Sequence, residues 1–339
     1  LLRSRIPLLA VLLFVVALAG CASPTGPEAD ADALASSELS SELPEGGPGD
    51  GELDTGWGRW GRFYPLQPGN SWHYDKRFKT QIFPTGEPPL PPVVTRSTVV
   101  RRQLCRETIG DRSYLAEEAT ETRNGSTFSS WIYLREDRSG LYEADLDIGT
   151  EPTCDDPGAT ALGSRASIQP LPALAADPEL SRQLAELPAA YRPAVAQLEK
   201  KRAVLAEILR QHGGSTTAAA GGERAQAEGE LTRLSYPLHT GASWHIREDP
   251  LFAARVVGMD ALPLDCGRVP AWRIRYTSEL FGPNDLVRVW YSRWGYLGLE
   301  AHLEGDAVDA EGNVIGRVVD KLSERADEIN LVGRRFASR

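Results

Sequence analysis

Four cysteines and five histidines are the side chains of this 339-residue sequence best suited to chemistry, and their spacing limits what that chemistry is. Past Cys21 come Cys105, Cys154 and Cys266, with no C-x-x-C among them. Thioredoxin-type exchange and a zinc ribbon are therefore not indicated. Disulfide formation is the remaining role in an oxidising compartment. Cys105 and Cys154 belong to the same half of the chain and form the best pair, with Cys154–Cys266 as the rival pairing. Closing the Cys105–Cys154 loop would contribute about 3–4 kcal/mol in the chain-entropy account.

The histidines, His73, His212, His239, His245 and His302, form no H-E-x-x-H and no cluster at ligand spacing. His73 and His245 occupy equivalent places in a repeat described below, so a metal shared about a pseudo-twofold axis is one reading. An outward-facing strand residue duplicated with its module is the simpler one. There is no G-x-S-x-G elbow and no glycine-rich phosphate loop. "CDDPG" at 154–158 reads as a turn, and "DAEGN" at 309–313 lacks EF-hand spacing and reads as a hairpin turn. No catalytic residue, metal or cofactor is assigned, and the expectation is a protein that binds rather than catalyses.

Aromatic side chains are the other asset. Trp72, Trp131, Trp244 and Trp290 lie in strand-like segments, and on a strongly curved sheet they are candidates for one apolar ligand face. Two of them belong to a phrase that occurs twice. "FYPLQPGNSWHY" (63–74) and "SYPLHTGASWHI" (235–246) share seven of twelve positions at an offset of 172. Proline after Tyr64 and Tyr236 forces extended backbone before it. Gly69 and Gly241 fall where a type II turn needs φ > 0. A strand then begins, with Trp72 and Trp244 on one face and His73 and His245 on the other.

The elements that would carry these residues follow a period of two. Each phrase leads into segments rich in Tyr, Trp, Val, Ile and Thr. Asn124-Gly125 is a strong hairpin signal, and Gly282-Pro283-Asn284-Asp285 marks a turn in the second copy. The reading is a mainly β chain: two tandem, antiparallel, curved-sheet, half-barrel-like repeats at 57–154 and 231–339. A linker at 155–230 carries helices near 178–187 and 194–212. Pro188 and Pro193 interrupt the helical pattern, and Val195, Leu198, Leu205, Ile208 and Leu209 form an apolar stripe. That stripe packs on a sheet or serves as a lid.

The N-terminal residues address the chain. Arg3 and Arg5 precede an uncharged apolar run, Ile6–Gly20, which is shorter than the roughly 20 residues of a spanning helix. It ends in Leu18-Ala19-Gly20-Cys21, which resembles the lipobox of bacterial lipoproteins. The resemblance implies a signal peptide at 1–20, lipidation of Cys21, palmitate included, and anchoring to a membrane. Ala22 and Ser23 in place of aspartate resemble the outer-membrane default. Residues 21–56 carry nine acids and no Lys or Arg, which describes a self-repelling tether. The whole chain is −10, but residues 57–339 sum to only −3, with no basic footprint for nucleic acid.

The phrase Y-P-L-x-x-G-x-x-W followed by a β meander resembles a module of bacterial envelope lipoproteins over about 63–150 and 235–332. That resemblance implies a shape akin to periplasmic lipid and lipoprotein carriers, and no catalytic residues. The expectation is an envelope binding or assembly module with a protein or glycan ligand. The alternative is a carrier of a hydrophobic ligand in a half-barrel cavity, and an envelope enzyme is the weakest of the three.

Overall fold

The computed structural model describes residues 63–144, 152–154, 182–183, 185–186, 189–211, 230–247, 251–264 and 267–332. Cys21, the tether and Cys266 lie outside the described residues, as does most of the segment around 178–187, which is helical at its four described positions. Two runs of six strands make up the fold. The first contains β1 (Ser71–Pro84), β2 (Val93–Ile109), β3 (Arg112–Arg123), β4 (Ser126–Glu136), β5 (Gly140–Ala144) and β6 (Glu230–Ser235). The second contains β7 (Ser243–Arg247), β8 (Phe252–Leu264), β9 (Gly267–Ser278), β10 (Leu286–Ser292), β11 (Gly295–Val308) and β12 (Val314–Asn330). The helix α1 (Tyr191–Gln211) lies in the connection between β5 and β6.

All twelve strands join one antiparallel sheet in the order β6-β5-β4-β3-β2-β1-β12-β11-β10-β9-β8-β7. The two runs meet through β1 and β12, paired from Ser71↔Asn330 to Pro84↔Gly316. The outer strands β6 and β7 follow each other in the chain, so the sheet is a nearly closed barrel. Glu230–Ser235, read from the sequence as the start of the second module, pairs back onto β5 and completes the first meander. The physical reason is the insertion. It separates β5 from β6 in sequence without removing β5's free edge, which β6 then fills.

The turn signals act as their chemistry requires. Gly69 and Gly241 both sit at φ 90°, and Asn124-Gly125 at φ 50° and 77° makes the β3–β4 hairpin. Each corner then bonds its neighbour strand in the same way. Gly69 N–H donates to Gln103 O and Gln103 N–H to Asn70 O; Gly241 N–H donates to Val256 O and Val256 N–H to Ala242 O. Both partner strands bulge just past that point, between Gln103 and Arg106 and between Val256 and Gly258. The duplicated phrase is thus a corner that ties the start of β1 or β7 to the next strand and delivers a tryptophan inward.

α1 begins at Tyr191, three residues before the expected start. Pro193 falls in the first turn, where the N–H it lacks would have had no intrahelical partner. Tyr191, Ala194, Leu198, Leu205 and Ile208 are buried in the main core, with Val195 packed beside them. The helix crosses the inner face of β11 and β12, where a Cβ on Gly305 would lie 2.5 Å from Ala194 O. Lys201 reaches Asp285 at 2.6 Å and donates to Glu304 O, and Arg202 pairs with Asp320.

On the outer face, Cys105 and Cys154 are joined by a disulfide with Cα atoms 5.7 Å apart and a separation of 49 residues. They pack with Tyr114, Ala116, Tyr133 and Ala144. Cys154→Ser leaves the native pairing of β2 and β3 intact and is expected to lower unfolding stability by about 2–4 kcal/mol. Urea denaturation with and without reductant measures it: wild type loses the same amount on reduction, and the variant loses nothing further.

Candidate functional site

Strand alternation separates the four tryptophans expected to share a ligand face. Trp72 and Trp244 point inward and are part of the main core. Trp290 points outward and belongs to a separate cluster with Val269, Ala271 and Leu297, its Nε1 donating to Asp260 at 2.8 Å. Trp131 follows on the face opposite Ile132 and is half-buried. The structure thus does not gather them round one pocket. Adjacent strand residues face opposite ways, and sequence distance alone does not reveal which member of each pair turns in.

His73 and His245 do not converge either. β1 and β7 are six strands apart in either direction round the ring, and both residues face away from the core. The Cys105, Glu107 and Cys154 ligand atoms lie within 4.8 Å of one another. The two sulfurs are bonded together, however, and one Glu107 oxygen accepts from the Thr153 and Cys154 N–H groups.

The inner face instead carries a belt of paired charges. Lys76 meets Glu121 at 2.8 Å, Arg233 meets Glu143 at 2.9 Å, and Arg101 meets Glu324 at 3.0 Å. Arg101 is 0% exposed and lies between the Tyr74 and Tyr296 rings, 4.6 and 4.3 Å from their centroids. Tyr64 donates to Glu117 at 2.7 Å, and burial pushes the Tyr64 hydroxyl's pKa up, with Glu117 adding to the effect. Sequence reading missed this belt. Its signal was present: Glu117 and Glu121 sit four apart on β3, a spacing that repeats one face of a strand.

A second site opens at one end of the barrel, beside the first corner. Asn70, 1% exposed, is its hub. Its amide nitrogen donates to Pro65 O at 2.7 Å, and its carbonyl accepts from Val332 N–H at 2.8 Å. Gln103 completes the frame by accepting from Gln67 N–H at 2.8 Å. In the second copy these two side chains are Ala242 and Val256, so the corner there is held by backbone bonds. Beside the hub is an open cleft of about 550 Å³, with Leu66 and Leu331 on its apolar side and Arg106, Arg135, Glu136 and Arg293 around it.

Two of these charged groups are tied down. Arg135 gives two hydrogen bonds to Glu230, each 2.8 Å, and lies over the Tyr142 ring at 4.6 Å. Those bonds hold the Glu230 carboxyl below the usual carboxylate range, with Tyr114 donating a further one. Glu136 accepts from the Tyr236 hydroxyl at 2.6 Å. The other two face the cleft more freely. Arg106 gives one long bond, 3.3 Å, to Leu66 O, and Arg293 lies over the Trp294 ring at 5.4 Å.

Fold and sites together define a twelve-stranded, nearly closed antiparallel barrel that holds its own helix on the inner face and a cationic cleft at its rim. No family model matches the chain, and no curated protein matches it. Among solved structures it is similar to a protein described as exported, with a YmcC-like fold, from Bacteroides fragilis NCTC 9343. That match has 9% identity over 79% of this chain and 99% of the other, at a TM-score of 0.31. A protein described as a lipoprotein from Parabacteroides distasonis ATCC 8503 matches at 10% identity over 79% and 98%, with a TM-score of 0.29. A lipovitellin structure matches at 9% identity over 80% of this chain and 27% of its own, with a TM-score of 0.26.

Proposed function

We propose that this protein is a lipid-anchored component of the bacterial cell envelope that binds a partner or ligand without catalysing its conversion. The anchor rests on Leu18-Ala19-Gly20-Cys21 directly after the apolar run Ile6–Gly20. The binding reading rests on one observation above the others: the inner face is occupied. α1 lays Leu198, Leu205 and Ile208 on it, and Arg202 and Lys201 fasten the helix to Asp320 and Asp285. The belt of ion pairs fills the adjoining part of the same face. Recognition is then a task for the outer surface and the rim cleft. A carrier reading keeps one supporting feature, because lifting α1 would uncover apolar side chains of β11 and β12.

One preparation tests both points. Secreted Cys21→Ser chain, which retains all other residues, is expected to carry no palmitate label and to show in native mass spectrometry the mass of the bare polypeptide. Lipid bound at one per chain would overturn the binding reading in favour of the carrier. Label persisting in Cys21→Ser would overturn the anchor.

A further inference from the structure

We infer that the rim cleft is a binding site for a small amphipathic organic anion, a carboxylate or phosphate attached to a short apolar body. The inference rests on the binding reading above and names the ligand class for it. Size comes first: about 550 Å³ lies within the roughly 300–1,000 Å³ of ligand sites. Shape is fixed from beneath, because Asn70 and Gln103 lock the corner to β2 and to the end of β12.

Chemistry then divides the walls. Leu66 and Leu331 offer an apolar side, and Val332 leaves the cleft lip 45% exposed. Arg106 and Arg293 supply two guanidinium groups with no ion-pair partner among the described residues, in a chain of net charge −10. The acid of the cleft, Glu136, is turned to Tyr236, and Arg135 is neutralised by Glu230. The Tyr236 hydrogen bond leaves Glu136 charged, so Arg106 and Arg293 set against Glu136 give the cleft one net positive charge. A planar guanidinium with free N–H donors matches carboxylate and phosphate oxygens two at a time. Trp294 beneath Arg293 holds that guanidinium in place.

Isothermal titration of the secreted Cys21→Ser chain with octanoate, octyl phosphate and neutral octyl glucoside, each below its micellar concentration, tests this. At least one of the two anions is expected to bind one per chain, more weakly as ionic strength rises. Octyl glucoside is expected not to bind. Which anion binds tells a carboxylate ligand from a phosphate one. Arg106→Gln with Arg293→Gln should weaken the anion by about tenfold or more, with unchanged thermal melting, while Arg77→Gln on the exposed face of β1 should leave it unaltered. Failure of both anions to bind overturns the inference, as does equal binding of octyl glucoside or an unaltered affinity in the double variant. None of these outcomes bears on the native-mass measurement that tests the binding reading itself.

Discussion

Replacing Glu324 with leucine is expected to lower unfolding stability by about 3–5 kcal/mol, the cost of leaving a buried charge without its partner. The charge is that of Arg101. Arg101 and Glu324 are both 0% exposed, and the 3.0 Å contact between them joins β2 to β12 across β1. An arginine does not shed its proton to escape burial, and here two tyrosine faces and Glu324 favour the charged form further, outweighing desolvation. Removing the carboxylate leaves the guanidinium with ring faces alone. The double variant Arg101→Met with Glu324→Leu removes both charges at similar volume and is expected to recover most of the loss. Urea denaturation followed by circular dichroism gives all three numbers. A double variant as unstable as Glu324→Leu would show that the pair is needed for more than its own neutralisation.

Trp72→Ala is the second large effect, an expected loss of about 3–5 kcal/mol. Trp72 is 0% exposed, stacks on Tyr64 with centroids 5.4 Å apart, and donates from Nε1 to Trp294 O at 2.7 Å. That bond spans 222 residues and ties the first corner to the β10–β11 turn. Gly295 is held at φ 103°, and a Cβ there would stand 3.3 Å from the indole, so the turn is built against the ring. Trp244 is the equivalent residue of the second copy, yet it is 9% exposed and its Nε1 has no partner among the described residues. Trp72→Phe should therefore cost about 1 kcal/mol more than Trp244→Phe, the net worth of one hydrogen bond. Equal losses in the two phenylalanine variants would mean that this bond adds nothing beyond packing.

The two corners thus share their backbone bonds to the next strand and differ in what their side chains attach. The first corner uses Asn70 and Gln103 to build the polar frame of the cleft. The second replaces both by apolar residues, Ala242 and Val256. The two corners make the same backbone bonds, and the polar side chains of the first alone frame the cleft.

Local chemistry was legible from the amino-acid order. Period-two alternation, the Asn124-Gly125 hairpin and the φ > 0 glycines of the two corners depend on steric preferences between near neighbours, which no distant contact needs to supply. The mainly β reading follows from those signals, and the helical insertion from the stripe Val195, Leu198, Leu205, Ile208 and Leu209. Apart from the Cys105–Cys154 pair, what the order left open was decided between residues far apart. Joining the two runs through β1 and β12 sets Ser71 against Asn330, and that pairing places Arg101, Lys76 and Glu324 on one inner face. The inward or outward sense of Trp131 and Trp290 was likewise open, because a one-residue change of register sends a whole strand's side chains to the opposite face. α1's stripe announced burial but not its seat, which Gly305 and the Arg202–Asp320 pair determine from strands more than a hundred residues on. Local propensity set the elements; long-range register and charge pairing chose the faces, filled the barrel and opened the cleft at its rim.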